Sequence, residues 1–356
     1  MENDTDVILE EINGLGLIRL NRPQSLNALT KDMLKCLDNA LAKWAGREEI
    51  QVVLTRGGRA FCAGGDIKAM YSDRATSDER AAFCRAEYSY NRRLFRFPKP
   101  HIALMDGVTM GGGIGISVHG SHRVATERTL CAMPETGIGL FPDIGASYVL
   151  PRCPGMVGLY LALTGVHLNA ADSLYAGLAT HTVPTQKLGV LEEALISAGS
   201  LDQDEVEKII SFFSEDLGRA QLDEIQTVID RCFDADSVEE ILVNLNRDGS
   251  QWARETAAAI NRKSPTSLKI AFRQMREGAD LSFEACMTME FRLARHCIES
   301  HDFHEGVRAV LIDRDNAPAW RPAKLVDVCS VDVDSYFAPV TDELTFPEDG
   351  PETQEI

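Results

Sequence analysis

Apolar residues recur along this chain in two rhythms, and the rhythm changes with position. In ILEEINGLGLIRLNRP, two short β-like runs flank Asn13-Gly14, a pair suited to tight hairpin turns, and Arg22-Pro23 closes the second run. The pattern predicts an opening hairpin. In KDMLKCLDNALAKWA, the apolar Met33, Leu34, Leu37, Leu41 and Trp44 fall at helical spacing, which predicts an amphipathic helix over 31–45. QVVLTRG at 51–57 reads as a buried strand running into the loop GRAFCAGGD, with helix following across about 79–96.

Pro100 breaks the chain ahead of the apolar strand HIALMDG, and TMGGGIGISVHG then reads as a glycine-rich turn into a short helix. Two further strands, HRVAT and TLCAM, precede MPETGIGLFPDIGASYVLPR, a long loop rich in Gly and Pro that ends in another helix. From about residue 155 the signal is mostly helical. Strands alternating with helices early and helices late predict an α/β fold with a helical C-terminal region. We divide it into a core at 1–185, a mainly helical portion at 186–335 and a tail at 336–356. Residues 186–250 read as amphipathic surface helices. The stretch from Thr341 to Ile356 carries six acidic and no basic residues and is expected to be disordered.

Charge narrows the partners. With 36 Lys and Arg against 54 Asp and Glu, the net charge of -18 repels nucleic acid backbones, so nucleic acid is not an expected partner. A small phosphorylated ligand is still compatible, because a local group of cations and backbone amides can hold phosphates against that field. No run approaches the apolar length of a membrane span, and the acidic N-terminus resembles neither a secretory nor a transit signal. Nine scattered cysteines without a C-x-x-C pair read as reduced thiols in a reducing, cytoplasmic compartment.

The glycine-rich stretches fail the tests for familiar phosphate cradles. Gly111-Gly112-Gly113-Ile114-Gly115-Ile116 lacks the last glycine of G-x-G-x-x-G, and neither a P-loop nor a G-x-S-x-G elbow occurs. Two loops remain, 58–67 and 107–115, each joining a strand to a helix. Their glycines either serve tight turns or bring two free N–H groups together as an oxyanion hole for a thioester carbonyl.

GRAFCAGGDIKAM, DGVTMGGGIGISVHG, RVATERTLCAMPETGIGLFPDIGASYVLPR and LTGVHLNAADSLYAGLATHTV resemble successive signature blocks of the crotonase (enoyl-CoA hydratase/isomerase) superfamily, in that family's order. SPTSLKIAFRQM and TMEFRLARHCIESHDFHEGVRAVLIDRD resemble its 3-hydroxyisobutyryl-CoA hydrolase branch. The resemblance covers most of residues 8–325. It implies a spiral of ββα turns with a helical C-terminal region, an acyl-CoA substrate, no separate cofactor and no metal. It also implies assembly as trimers or pairs of trimers. By motif position, Gly65 and Gly112 are the oxyanion-hole donors.

Carboxylates then separate the reactions. Hydratases of the superfamily carry one Glu shortly after the GGG run and one in the Pro-Glu segment; here Gly115 takes the first place and Glu135 of MPET stands alone. Asp143 of FPDIG replaces a usual glycine, and Glu135 with Asp143 matches the hydroxyacyl-CoA hydrolases. The resemblance therefore implies thioester hydrolysis in valine breakdown, with hydration by an enoyl-CoA hydratase as the alternative and a non-catalytic acyl-CoA-binding protein behind it. Glu87 of RAEYSYN falls at a substrate-contact position. His119 and His122 read as structural, as do His301, Asp302, His304 and Glu305. Arg59, Lys68 and Arg92 are the basic candidates for the CoA phosphates.

Overall fold

The computed structural model describes residues 5–71 and 76–346. Its strands, in chain order, are β1 (Val7–Ile12), β2 (Leu15–Leu20), β3 (Val52–Arg56), β4 (His101–Met105), β5 (Val108–Met110), β6 (His122–Ala125), β7 (Leu130–Ala132) and β8 (His181–Thr182). Between and after them lie α1 (Lys31–Ala45), α2 (Ile67–Tyr71), α3 (Ser77–Phe95), α4 (Gly112–Val118), α5 (Ala146–Val149), α6 (Val157–Thr164) and α7 (Ala170–Tyr175). The C-terminal part adds α8 (Leu188–Ser197), α9 (Gln203–Phe213), α10 (Gln221–Phe233), α11 (Val238–Asp248), α12 (Gln251–Asn261), α13 (Pro265–Gly278), α14 (Phe283–Cys297), α15 (His301–Val307) and α16 (Ser330–Phe337).

The hairpin forms where the sequence places it. Asn13 and Gly14 take φ of 47° and 88°, the pair of positive values a tight hairpin turn needs, and Ile12 faces Leu15. β2 then pairs in parallel with β3, and a six-stranded sheet follows in the order β1-β2-β3-β4-β6-β8. A second parallel pair, β5 with β7, is continued by bridges from Leu29 to Gly65 and from Cys62 to Thr109. Each turn of the chain thus contributes one strand to each layer plus a helix, the expected ββα spiral.

Helix boundaries follow local chemistry. Thr30 accepts from the Met33 N–H to start α1, whose Met33, Leu34, Leu37, Leu41 and Trp44 all turn inward. Thr76 and Glu79 close a reciprocal capping box at the start of α3. The period of two along the strands separates the sheet faces. Leu15, Leu17, Val52, Leu54, Ile102 and Leu104 point to one side, where Leu191 and Leu195 of α8 and Val206 and Ile210 of α9 cover them. α8 and α9 therefore roof the sheet, whereas α10 and α11 join the main core. The opposite face belongs to a continuous core reaching from Val7 to Leu344, so 185–186 marks a change of architecture and not a gap in packing.

The tail needs correction. Residues 336–346, read from sequence as part of a disordered segment, are docked: α16 runs to Phe337, Leu344 is buried, and Glu343 pairs with Arg292 at 2.6 Å. Acidity here supplies partners for basic helix faces instead of keeping the chain apart. The remainder of that expectation, 347–356, lies outside the described residues.

Candidate active site

Two loops meet because their backbones pair. Cys62 N–H donates to Val108 C=O and Met110 N–H to Cys62 C=O, both at 3.0 Å, which seats the 58–67 loop against the 107–115 loop. Leu29 grips the first loop from the other side, donating to Gly64 C=O at 2.8 Å and accepting from Asp66 N–H at 2.9 Å. Gly64 sits at φ 110°, a conformation closed to most side chains. At Gly112, the first residue of α4, a Cβ would lie 3.1 Å from the Gly65 nitrogen and collide with Glu87 Oε1. The two glycines predicted as donors are thus neighbours in one cleft. Neither the Gly65 nor the Gly112 N–H has an acceptor among the described residues, and the helix start leaves the latter free by geometry.

Around these amides lies a cavity of about 1070 Å³, lined among others by Glu87, Glu135 and Asp143. Glu135 opens a 3-10 turn, Glu135–Ile138, closed by Gly139 at φ 72°. It is buried, its Oε2 has no partner among the described residues, and its Oε1 lies 3.0 Å from where a Cβ on Gly111 would be. Burial raises its carboxyl well above the usual carboxylate range, and the nearby Asp143 adds to the effect. Glu87 is also buried with an unpartnered Oε1; burial, then Asp143 and Glu135, push its carboxyl well up.

Asp143 differs in having a donor. Tyr88 O–H donates to Asp143 Oδ2 at 2.8 Å. Burial lifts the Asp143 carboxyl to about 6 while this hydrogen bond holds it down. Its loop is strained and firmly braced. Ile144, a β-branched residue, sits at φ 57°, with its C=O accepting from His119 Nε2 at 2.7 Å. Gln274 Nε2 donates to Pro142 C=O at 2.6 Å. The fully buried Glu290 accepts from Gly145 N–H at 2.7 Å, from Ser147 N–H at 2.9 Å and from the Ser147 hydroxyl. Burial lifts the Glu290 carboxyl to about 8.

A family model described as enoyl-CoA hydratase/isomerase matches residues 15–337. The chain belongs to this family. It is 47% identical over 340 residues, 93% of this chain and 88% of the relative, to the mitochondrial 3-hydroxyisobutyryl-CoA hydrolase of Rattus norvegicus. Its structure is similar to a carnitinyl-CoA dehydratase from Mycobacterium thermoresistibile, with a TM-score of 0.91 and 39% identity over 97% of this chain and 99% of that one. An enoyl-CoA hydratase from Rhodobacter sphaeroides 2.4.1 gives 0.88 and 34% over 96% and 100%. The crotonase-like α/β fold with a helical C-terminal region is the fold observed.

A Cβ on Gly115 would lie 2.9 Å from Ile144 Cβ and 3.0 Å from Asn91 Nδ2, which itself donates to Gly115 C=O at 3.0 Å, so a side chain at this position has no free space beside it. Gly65, Glu87, Gly112, Glu135 and Asp143, the catalytic, oxyanion and acyl-contact candidates of the sequence, line a single cavity.

Other sequence candidates scatter. Lys68 lines the cavity mouth, whereas Arg59 does not line it and Arg92 faces Glu284 at 3.5 Å and the Phe346 ring at 5.5 Å. Arg262, Lys263 and Arg314 line the cavity and were missed, because they approach from α12 and the 314–318 loop with no local motif. His122 pairs with Glu207 at 3.4 Å. Asp302 accepts from Ser264 Oγ at 2.6 Å and Glu305 pairs with Arg308 at 2.8 Å. Among the described residues, no group of three or more potential ligands could hold a metal, and no helix is long and apolar enough to cross a membrane.

Proposed function

We propose that this chain hydrolyses the thioester of 3-hydroxyisobutyryl-CoA to the free hydroxy acid and CoA, a step of valine catabolism, with 3-hydroxypropionyl-CoA as a second substrate. The observation that carries this reading is the pairing of Glu135 and Asp143 in a cavity where packing at Gly115 leaves no room for a second hydratase carboxylate. The name of the rat relative points to the same substrate.

In this reading the thioester oxygen accepts from the N–H groups of Gly65 and Gly112, and the start of α4 adds its positive end as the oxygen gains charge. Such a donor is typically worth about 3–4 kcal/mol of barrier. Glu135 either attacks the carbonyl carbon to give a mixed anhydride, expelling the CoA thiolate, or removes a proton from an attacking water. Asp143, held by Tyr88, orients the nucleophile or the substrate hydroxyl, or carries a proton to the thiolate. Glu87 accepts from the acyl hydroxyl. Lys68, Arg262 and Arg314 at the mouth take the CoA phosphates.

The chemistry calls for no metal or cofactor beyond the CoA that the substrate brings, so chelation leaves the rate unchanged. The nine free thiols support a reducing compartment, and we place the protein in the cytoplasm as a homotrimer or hexamer. The test supplies 3-hydroxyisobutyryl-CoA and crotonyl-CoA in parallel, following thiol release and loss of the enoyl chromophore. Hydrolysis of the first with an inert second supports the reading; the reverse result makes the chain a hydratase. Glu135→Gln abolishes nearly all thiol release while CoA binding survives, and unchanged turnover would remove Glu135 from the mechanism.

A further inference from the structure

The acid groups of the site raise an electrostatic difficulty that the two-carboxylate mechanism leaves open. Glu135 acts only as an anion, yet it is buried and shares its surroundings with Asp143, Glu87 and Glu290. Burial and like charges disfavour the anion of a carboxyl group so placed, and a cation close by favours it.

One cation does. The basic side chains lining the cavity are Lys68, Arg262, Lys263 and Arg314, and of these Lys68, Arg262 and Arg314 are exposed at the mouth while Lys263 is half-buried. Lys263 sits in the short link between α12 and α13. The next residue fixes this link to the turn that carries Glu135: Ser264 N–H donates to Thr136 C=O at 3.1 Å. The lysine side chain threads between two glycines, its Nζ 3.3 Å from where a Cβ on Gly137 would be and 3.2 Å from where one on Gly165 would be. Its ammonium makes no ion pair or hydrogen bond among the described residues.

We propose that Lys263 is a positioning residue of the reaction, the countercharge that favours the anionic form of Glu135 as nucleophile or base. Burial holds the ammonium below the usual lysine range; Glu135 works against that shift, and the neighbouring Arg262 adds to it. Asp302, on the far side of the link, is already engaged by Ser264 and by the Arg321 N–H. Glu255 and His167 line the cavity only from exposed positions.

This inference rests on the hydrolase reading, and one experiment tells the two apart. The full chain, Lys263→Met, Lys263→Gln and Lys263→Arg are assayed with 3-hydroxyisobutyryl-CoA between pH 5.5 and 9.5, with CoA binding as the check on folding. In both neutral variants the acid limb of kcat moves up by about one pH unit or more. Their kcat at pH 7 falls about tenfold, KM changes far less, and the arginine variant restores the limb. An acid limb that stays in place in whichever neutral variant folds overturns the role, as does a loss confined to KM, which would make Lys263 a phosphate contact. If the unaltered chain releases no thiol from this substrate, the hydrolase reading fails first, and the same pH comparison on the acyl-CoA it does turn over still decides the lysine.

Discussion

A Cβ added to Gly115 would lie 2.9 Å from the Cβ of Ile144, closer than two such carbons approach. Ile144 is held there at φ 57° by His119 on its carbonyl and by the loop that presents Asp143. The residue that fills the space beside Gly115 is therefore the next one along the chain from Asp143. Gly115→Glu does not convert the protein into a hydratase. Overpacking alone costs about 1–3 kcal/mol, and burying a further carboxyl adds to that. The checks are a lower thermal midpoint and no loss of the crotonyl-CoA chromophore. A stable variant that hydrates crotonyl-CoA would show that this packing does not set the reaction.

Tyr88 O–H holds the buried Asp143 carboxyl down at about 6, and in the proposed mechanism the acid limb of activity reports Asp143 and Glu135 as a pair. If the ionised form is required, kcat/KM drops about tenfold between pH 7 and pH 5. Tyr88→Phe removes the donor, so the folded-state value rises. Activity is then lost at pH 7 and regained towards pH 8.5. A rate profile for Tyr88→Phe superimposable on that of the parent protein would exclude this coupling.

What the sequence disclosed and what it hid follow from the range of the interactions. The Asn13-Gly14 turn and the apolar stripe of α1 are local, so their residue types suffice to place them. Glu135 and Asp143 are eight positions apart within one loop, and the signature blocks carried them together with Gly65, Gly112 and Glu87. Glu290 is different, reaching Gly145 across 145 positions of sequence, and Lys263 comes to the turn of Glu135 from the link between α12 and α13. Nothing in the spacing of either marks it. The acidic tail misled for a related reason: its charge suggested solvation, but Asp342 and Glu343 find Arg295 at 3.4 Å and Arg292 at 2.6 Å.

Gly65 and Gly112, the proposed oxyanion donors, differ in how much room they have. At Gly112 a Cβ runs into Glu87 Oε1 and comes within 3.1 Å of the Gly65 nitrogen, crowding the place where the thioester oxygen would bind. At Gly65 it meets only the edge of the Phe83 ring, at 3.1 Å, a side chain that can give. Gly112→Ala keeps its N–H, but the added methyl group crowds the oxygen away from both donors and should lower kcat by up to about 100- to 1000-fold, the cost of an oxyanion donor that no longer reaches. Gly65→Ala should retain at least about tenfold more activity than that. Steady-state rates on 3-hydroxyisobutyryl-CoA rank the two, and equal losses would place the steric conflict elsewhere.

The docked segment after α16 crosses both helices that support the site. Arg85 of α3 donates to Asp342 C=O and Arg92 of α3 lies over the Phe346 ring, while Arg292 of α14 pairs with Glu343. Thr288 of α14 donates to Leu344 C=O at 2.9 Å, and the Leu344 side chain is 2% exposed. α3 carries Glu87 and Tyr88; α14 carries Glu290. Leu344→Ala empties the centre of this clasp and should cost about 2–5 kcal/mol of stability. None of the reacting groups is touched, so kcat and KM at 25 °C stay close to those of the parent protein while thermal inactivation begins at lower temperature. Chemical denaturation reads the first effect and residual activity after heating the second; a variant as stable as its parent would mean that 342–346 contributes nothing to holding α3 against α14.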